Sequence, residues 1–443
     1  MRLLGLDGSG PDKLVRNSAF LILASGITAL LGFLFWVVVA RLFSPAAVGI
    51  ATSLVSATSL IGYLSLLGLN SVLLRFPNSP LRNTEVTQSI LLTAVTACVV
   101  SVMYLAAIPL ISGELTFIRG KPLFCIGFSV FSVFGAVNML TDAVFVARRI
   151  PHYNAIVDGL IQGITKLVLP VVLAGFGAAG ILASVGWGYI VAAVASVILL
   201  YRVSDFRLTL RPMRTPLLGR VGFSFASYVS SVLNLGPVML LPILTLHLLG
   251  AEANAYYYLA FQIANLLNAA SYAIGESLMA EASTDESRLG PLLRRSGLML
   301  SAILVPAVTV VAGASGLLLR AFGQAYATEA RNLLILLSLS AFAVGLNTWA
   351  SVALKFLRRM GHLIASNAIY LVITIGLVEA FGRHGVLAIG WAWFIGNTAS
   401  GVYAAVVLFV SRVRRPAGRH RCTTKGSSYL VTRSPSPVGQ SAA

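Results

Sequence analysis

The chain alternates between long apolar runs and short segments that are polar and mostly basic. A helix needs about 20 apolar residues to cross about 30 Å of hydrocarbon, and each run is about that long. The pattern therefore predicts twelve membrane-spanning helices. Their ranges are 18–40, 48–72, 86–111, 123–146, 154–175, 178–200, 221–248, 254–279, 292–318, 332–356, 363–381 and 386–410.

The second half of the chain repeats the pattern of the first half. The run that follows Arg41 returns 206 residues later as the run that begins at His247. Polar residues fall at matching positions in the two runs: Ser56 and Gln262, Ser59 and Asn265, Asn70 and Glu276. Six spans per half is an even number, so both halves enter the membrane from the same side and form a parallel repeat.

The repeat predicts an all-α polytopic membrane protein. We expect two six-helix bundles, 17–201 and 220–411, related by a pseudo-two-fold axis along the membrane normal. The segment 202–219 is predicted to be a cytoplasmic linker between the bundles. Residues 1–16 form a short cytoplasmic segment, and the basic, Ser/Pro-rich tail 412–443 is predicted to be disordered.

Composition supports the membrane assignment, and the charges set the orientation. Of the 443 residues 57% are hydrophobic and 10% are charged, whereas soluble domains carry about 25% charged residues. Of the 32 Lys and Arg residues, 25 fall in segments predicted to be cytoplasmic, 6 in outer segments, and Lys166 in a span. This bias predicts cytoplasmic termini in the inner membrane. The net charge of +18 thus reflects orientation, and we expect membrane lipids, not nucleic acid, as partners.

Catalytic chemistry is not expected in this chain. The segments between spans are too short for a soluble catalytic domain. No Walker A motif, dinucleotide-binding loop or metal-ligand cluster is present, and the five His residues are scattered. We therefore predict no catalytic residue, no cofactor and no metal site. The pattern indicates a transporter driven by an ion gradient, the membrane potential or the substrate gradient.

Lys166 is the most informative polar residue inside a span. It lies about 18 Å along the fifth span, near the middle of the membrane, where a charge is expensive. Asp158, Gln162 and Lys166 recur every four residues and share one helix face. We interpret Lys166 and Gln162 as groups that bind an anionic part of a substrate. A structural pairing of Lys166 with Asp142 or Asp158 is the alternative.

Three carboxylates are the candidates for ion coupling: Asp142, Asp158 and Glu276. For the two aspartates a structural ion-pair role is equally open. Gln262, Asn265, Tyr272 and Glu276 lie on one side of the eighth span, and we expect this side to form one wall of a water-filled cleft. Polar contacts between helices are the alternative explanation.

The segment between the first two spans resembles a known family. It reads R-L-F-S-P-x-x-V-G-I, and an apolar run leads from there into G-L-N-S-V-L-L-R. This pattern is similar to the start of the Wzx-like polysaccharide-biosynthesis flippases of the multidrug/oligosaccharidyl-lipid/polysaccharide exporter superfamily. The matching residues are Arg41, Pro45, Gly49, Gly68, Leu69 and Arg75. The resemblance extends over residues 13–411 through the layout of the spans.

The resemblance implies a flippase that moves a polyprenyl-diphosphate-linked oligosaccharide outward by alternating access, for cell-surface polysaccharide synthesis. In that interpretation Lys166 pairs with the diphosphate, Arg75 and Arg220 receive it at the inner mouth, and aromatic residues stack on sugars. The aromatic candidates are Tyr63, Tyr228 and Tyr272.

Two other functions are weighed against the flippase. One is a cation-coupled multidrug or metabolite antiporter of the same superfamily, and the other is a membrane-embedded glycosyltransferase or polymerase. The sequence leaves open the glycan, the coupling ion, the oligomeric state and the need for a polymerase or glycosyltransferase partner.

Overall fold

The computed structural model describes residues 11–75, 82–204, 206–209, 217–282 and 289–413, and no β-strand occurs in these ranges. Twelve long helices run through them. They are α1 (Pro11–Leu42), α2 (Pro45–Ser65), α3 (Arg82–Ile111), α4 (Pro122–Ala147), α5 (His152–Val172), α6 (Gly177–Val203), α7 (Leu217–Leu249), α8 (Ala251–Ala282), α9 (Leu289–Gly313), α10 (Arg331–Phe356), α11 (Met360–Phe381) and α12 (Val386–Val413). The all-helical fold predicted from the sequence is thus confirmed.

Ten of these helices are long and apolar enough to cross a membrane. The described apolar part of α1, Gly26–Leu42, is shorter than the others. Helix α8 is outside the ten although it has 32 residues, and its sequence includes polar residues such as Asn254, Gln262 and Asn265. The predicted count of twelve spans in two bundles therefore stays a prediction.

The predicted second span, 48–72, is not one helix. Helix α2 ends at Ser65, and a separate short helix runs from Leu69 to Arg75. Leu67 and Gly68 between them have positive φ angles of 47° and 78°, which a right-handed helix cannot include. Glycine takes this conformation without a Cβ clash, so Gly68 ends α2 here. Its counterpart α8 continues without a break.

The helices of the two halves pack in the same pattern. Each long helix of the second half begins 206 to 209 residues after its counterpart. Helix α4 packs against α2, α3 and α6, and α10 packs in the same way against α8, α9 and α12. Helix α5 contacts α1 and α6, and α11 contacts α7 and α12. The internal repeat of the sequence is therefore also a repeat of helix contacts.

The two halves meet unevenly. Helix α2 packs extensively against α7 and α8, whereas its counterpart α8 touches α1 only slightly. We name the two ends of the molecule by exposed residues. The Arg41 side is the end where α1 stops and α2 begins, and the Glu276 side is the end toward which α2 and α8 run.

Short helices complete the Arg41 side. A 3-10 helix, Gly113–Ile118, joins α3 to α4, and the helices Ser315–Arg320 and Gln324–Glu329 join α9 to α10. Helix α2 starts there with Pro45 in its first turn, and the Ser44 hydroxyl accepts a hydrogen bond from the Ala47 amide at 3.3 Å. This cap satisfies one of the free amides of the helix start.

Candidate functional site

The two halves are locked together on the Arg41 side at the starts of α2 and α8. The backbones approach so closely that a Cβ atom at Gly49 would lie 1.7 Å from the carbonyl oxygen of Ala251. The buried Asn254 side chain donates through Nδ2 to the Gly49 carbonyl at 2.6 Å and to the Thr52 hydroxyl at 3.0 Å. This contact closes the space between the halves at this end.

Arg41 makes a second link on the same side. Its Nε donates to the carbonyl of Ala321 at 2.8 Å, and its Nη2 donates to the carbonyl of Arg320 at 2.6 Å. The ring of Trp36 on α1 meets the ring of Tyr258 on α8 edge-on, with centroids 4.9 Å apart. Helix α1 is therefore tied to the second half near Arg41.

Toward the Glu276 side, apolar and aromatic side chains of α1 and α8 are exposed. On α1, Ile27 and Leu30 are 39% and 56% exposed, and on α8, Leu266 and Tyr272 are 48% and 43% exposed. A cavity of about 250 Å³ lies between the two helices, and its lining includes Gly32, Gln262, Asn265, Ala269 and Phe322. The predicted polar side of α8 thus faces a gap between the halves.

Lys166 lies at the centre of the first half. Its Nζ donates to Oε1 of Gln162 at 2.7 Å and sits 4.5 Å from the centroid of the Tyr189 ring. Asp158, two turns back on α5, is close enough to act on Lys166 electrostatically. The predicted stripe of Asp158, Gln162 and Lys166 is therefore one connected set of side chains.

Two tyrosines extend this set toward the second half. The Tyr189 hydroxyl of α6 lies within hydrogen-bonding reach of Ser59 on α2, and Tyr63 is also near it. Tyr189 interacts electrostatically with Tyr258 of α8, which in turn reaches Gln262. A chain of polar groups thus runs from Lys166 to the cavity between α1 and α8.

Asp142 and Asp158 form a carboxylate pair between α4 and α5. Their carboxyl groups are within hydrogen-bonding reach of each other, and Asn138 donates through Nδ2 to Asp158 Oδ1 at 2.9 Å. Asp158 belongs to a π-helical stretch, Ala155–Ile161. Such widened turns are rare and occur frequently at functional sites.

Four further predicted residues lie on α7, α8 and the short helix Leu69–Arg75. Glu276 is exposed on α8, in the other half of the chain. The Tyr228 hydroxyl on α7 donates to the Leu64 carbonyl on α2 at 2.8 Å, so it links the halves. Arg75 and Arg220 lie on described helices, but their side chains are outside the described part of the structure.

Sequence reasoning missed Tyr189 and Tyr258. Tyr189 is preceded by Gly188, where a Cβ atom would lie 2.8 Å from Lys166 Cγ. The absence of a side chain at Gly188 therefore leaves room for the aliphatic part of Lys166. In the sequence, the dipeptide Gly188-Tyr189 within an otherwise apolar run is the feature that indicates this contact. Tyr258 stands in a run of three tyrosines, and its orientation depends on how the halves pack.

Among the described residues, no group of three or more His, Cys, Asp or Glu side chains could hold a metal ion. The charged groups of the site are the carboxylate pair and Lys166. The arrangement can bind an anion at the lysine and a proton or a small cation at the pair.

Comparison with known proteins gives a family and a fold. The sequence profile of the family described as polysaccharide biosynthesis protein matches residues 38–331. No curated protein sequence matches the chain.

The fold is similar to those of solved transporters. The lipid II flippase MurJ in an inward closed conformation has a TM-score of 0.75 at 13% identity, with 88% of this chain and 87% of that chain covered. An inward-facing multidrug resistance MATE family transporter of the MOP superfamily has a TM-score of 0.69 at 13% identity, with 88% and 96% covered. A MOP superfamily transporter from Pyrococcus furiosus has a TM-score of 0.61 at 15% identity, with 92% and 97% covered.

Proposed function

The chain belongs to the polysaccharide biosynthesis protein family, and from this premise we propose that it is a membrane flippase. Its substrate is a polyprenyl-diphosphate-linked oligosaccharide, which it moves from the cytoplasmic to the outer leaflet of the inner membrane. The observation that carries the proposal is the position of Lys166. Its ammonium group lies in the middle of a span, held by one amide oxygen and one aromatic ring among the described residues.

Lys166 suits a diphosphate for a physical reason. A cation buried in a membrane protein is costly unless it has an anionic partner, at least for part of the working cycle. Gln162 and Tyr189 orient the ammonium group without neutralising it. A diphosphate headgroup can replace Asp158 as the negative partner of Lys166, and this favours a lipid-linked anionic substrate over a cationic drug.

The gap between α1 and α8 supplies a route for the lipid tail. The tail of such a substrate is too apolar to enter a polar cleft, so it must stay in the bilayer while the headgroup crosses. Ala29 and Phe33 of α1 line the same cavity as Gln262 and Asn265 of α8 and offer an apolar surface there. Polar headgroup and apolar tail can therefore be solvated at the same time. Tyr63 and Tyr272 are the aromatic side chains proposed to contact the sugars.

The direction of transport follows from charge. With the Glu276 side in the cytoplasm, the open gap faces the leaflet where the substrate is made, and the Arg41 side is closed. Outward movement of a negative headgroup is favoured by an inside-negative potential, by about 2.3 kcal/mol per charge per 100 mV. Transport that is indifferent to collapse of the potential would contradict this driving force.

The function can be tested in cells depleted of the protein. We expect one defined polyprenyl-linked oligosaccharide to accumulate on the cytoplasmic leaflet, and wild-type protein but not Lys166→Ala to clear it. The exposed Glu379→Gln serves as the control. No accumulation, together with altered sensitivity to cationic drugs, would instead indicate an antiporter.

A further inference from the structure

The internal repeat provides a built-in comparison for the carboxylate pair. Asn138, Asp142 and Asp158 have counterparts 209 residues later in the second half: Asn347, Ser351 and Asn367. The register is independently supported by the turns that follow α4 and α10, where Arg149 and Arg358 both adopt positive φ, at 61° and 56°. Two of the three positions are therefore charged in the first half, whereas all three are neutral in the second half.

The neutral counterpart is fully hydrogen-bonded. Asn347 accepts from Ser400 at 3.0 Å and from Ser351 at 3.3 Å, and it donates to Asn397 at 3.2 Å. Asn367 donates to the hydroxyl of Ser230 at 2.8 Å and accepts from Nδ2 of Asn234 at 3.4 Å. A purely structural polar contact between these helices therefore needs no charge.

The first half is organised differently at the same positions. Asn138 is only 5% exposed, and its Oδ1 has no donor among the described residues. The same holds for the buried oxygens Asp142 Oδ1 and Asn154 Oδ1. Two buried amide oxygens and one oxygen of the facing carboxyl groups thus lack a donor among the described residues. A site with surplus acceptors and surplus negative charge attracts a proton or a cation, not an anion.

Among the described residues within the spans, Lys166 is the cation that acts on the pair. Tyr63 of α2 and Tyr189 of α6 face the pair as neutral hydroxyls. Lys166 acts on Asp158, but its ammonium group already contacts Gln162 and the Tyr189 ring. Helix α1 packs on the π-helical stretch and has no titratable residue between positions 17 and 40.

Further charged groups lie near the ends of the neighbouring helices. Glu85 lies in the first turn of α3, and Arg148 directly after α4 donates to Asn83 Oδ1 at 2.8 Å and to the Ser204 carbonyl. Arg75 is on the short helix that packs on α4, and its side chain is outside the described part. Two ionised carboxylates in contact repel strongly in a medium of low dielectric constant, so one Lys does not balance the pair.

We propose that Asp142 and Asp158 form a binding site for one exchangeable proton, which the two carboxyl groups share. Neutralisation of one carboxyl removes the repulsion, and the remaining negative charge is balanced by Lys166. The site deepens the proposed function, because a diphosphate that draws Lys166 away from Asp158 changes the affinity of the pair for its proton. The carboxylate pair and the diphosphate then compete for one lysine, so a proton on the pair favours substrate binding.

The test is an infrared pH titration of the full chain in lipid nanodiscs. It follows the carbonyl absorption of protonated carboxylic acids, which ordinary Asp side chains lose above a pH of about 4. We expect wild-type protein to keep one protonated carboxyl per chain at neutral pH. The exposed-carboxyl control Glu379→Gln should keep it too, and the single variant Asp142→Asn should lose it.

The double variant Asp142→Ser with Asp158→Asn is the control for loss of the absorption through misfolding. It gives the first half the side chains with which the second half folds, Ser351 and Asn367. We expect it to elute as a single species and to lack the absorption. Absence of the band in wild-type protein at neutral pH, or its persistence in the double variant, would overturn the proposal.

A measurement in sodium distinguishes a bound proton from a bound metal ion at the carboxylate pair. At fixed pH, replacement of potassium by sodium should leave the band of wild-type protein unchanged. A band that sodium removes would assign the site to a metal cation and overturn the proton assignment. These measurements do not depend on transport of a lipid-linked substrate. The proton-site proposal and the flippase proposal can therefore be refuted independently.

Discussion

The contact between Gly49 and Ala251 makes a sharp prediction about the closed Arg41 side. The change is Gly49→Ala, which adds one methyl group to α2. This methyl would lie 1.7 Å from the Ala251 carbonyl oxygen, 2.6 Å from its carbonyl carbon and 3.1 Å from the Ala255 amide nitrogen. These are backbone atoms of α8, so no side chain can move aside, and the two helices must separate.

The size of the effect follows from this overlap. Real Cβ atoms essentially never approach another heavy atom within 3.0 Å, so α2 and α8 must move apart by more than an ångström at this point. Overpacking of this kind costs about 1–3 kcal/mol. The separation also weakens the hydrogen bonds from Asn254 to Gly49 and Thr52. We expect the population closed on the Arg41 side to fall about 5–150-fold relative to the open one.

The assay is a distance measurement between spin labels at Leu42→Cys and Glu252→Cys. Both positions are exposed, one at the end of α1 and one at the start of α8. The native Cys98, Cys125 and Cys422 are replaced first. Wild-type protein should show a short distance, and Gly49→Ala should show a longer or broader distribution.

The matched control is Gly26→Ala. It makes the same chemical change within α1, where an added Cβ meets nothing within 4 Å. Its distance distribution should equal that of the wild type. If Gly49→Ala also keeps the short distance, the close approach of α2 and α8 does not hold the Arg41 side closed, and the reasoning fails.

Two further predictions concern the site and the link between halves. Gly188→Ala places a methyl group 2.8 Å from Lys166 Cγ, so it should displace the ammonium group of Lys166. We expect slower substrate transport with little change in the melting temperature. Unchanged transport would contradict the role of Lys166. Tyr228→Phe removes the hydrogen bond to the Leu64 carbonyl and should destabilise the protein by about 1 kcal/mol in thermal unfolding, a loss that Phe225→Leu should not reproduce.

The sequence was a good guide wherever the chemistry repeats along one helix. Asp158, Gln162 and Lys166 are four residues apart, so their shared face could be predicted, and the structure connects them. The repeat of the two halves could be predicted from the spacing of apolar runs, and it reappears in the pairs of helices that touch.

The sequence was a poor guide to the break within an apolar run and to the contacts between helices. The break at Leu67 and Gly68 lies inside an apolar run, so hydropathy continues through it. The contact of Asp142 with Asp158 depends on how α4 packs against α5. The role of Gly49 is visible only when α8 lies against it, because a glycine within an apolar helix has several possible reasons to be there.

The central claim is that the chain moves a lipid-linked, diphosphate-bearing oligosaccharide between leaflets. The most direct measurement uses liposomes that contain the purified protein and a labelled polyprenyl-diphosphate oligosaccharide, with the outer leaflet sampled by a sugar-specific enzyme that cannot cross the membrane. The account predicts that wild-type protein exposes the whole labelled pool, whereas Lys166→Ala and empty liposomes expose only the fraction that starts outside. Equal exposure in all three samples would contradict it.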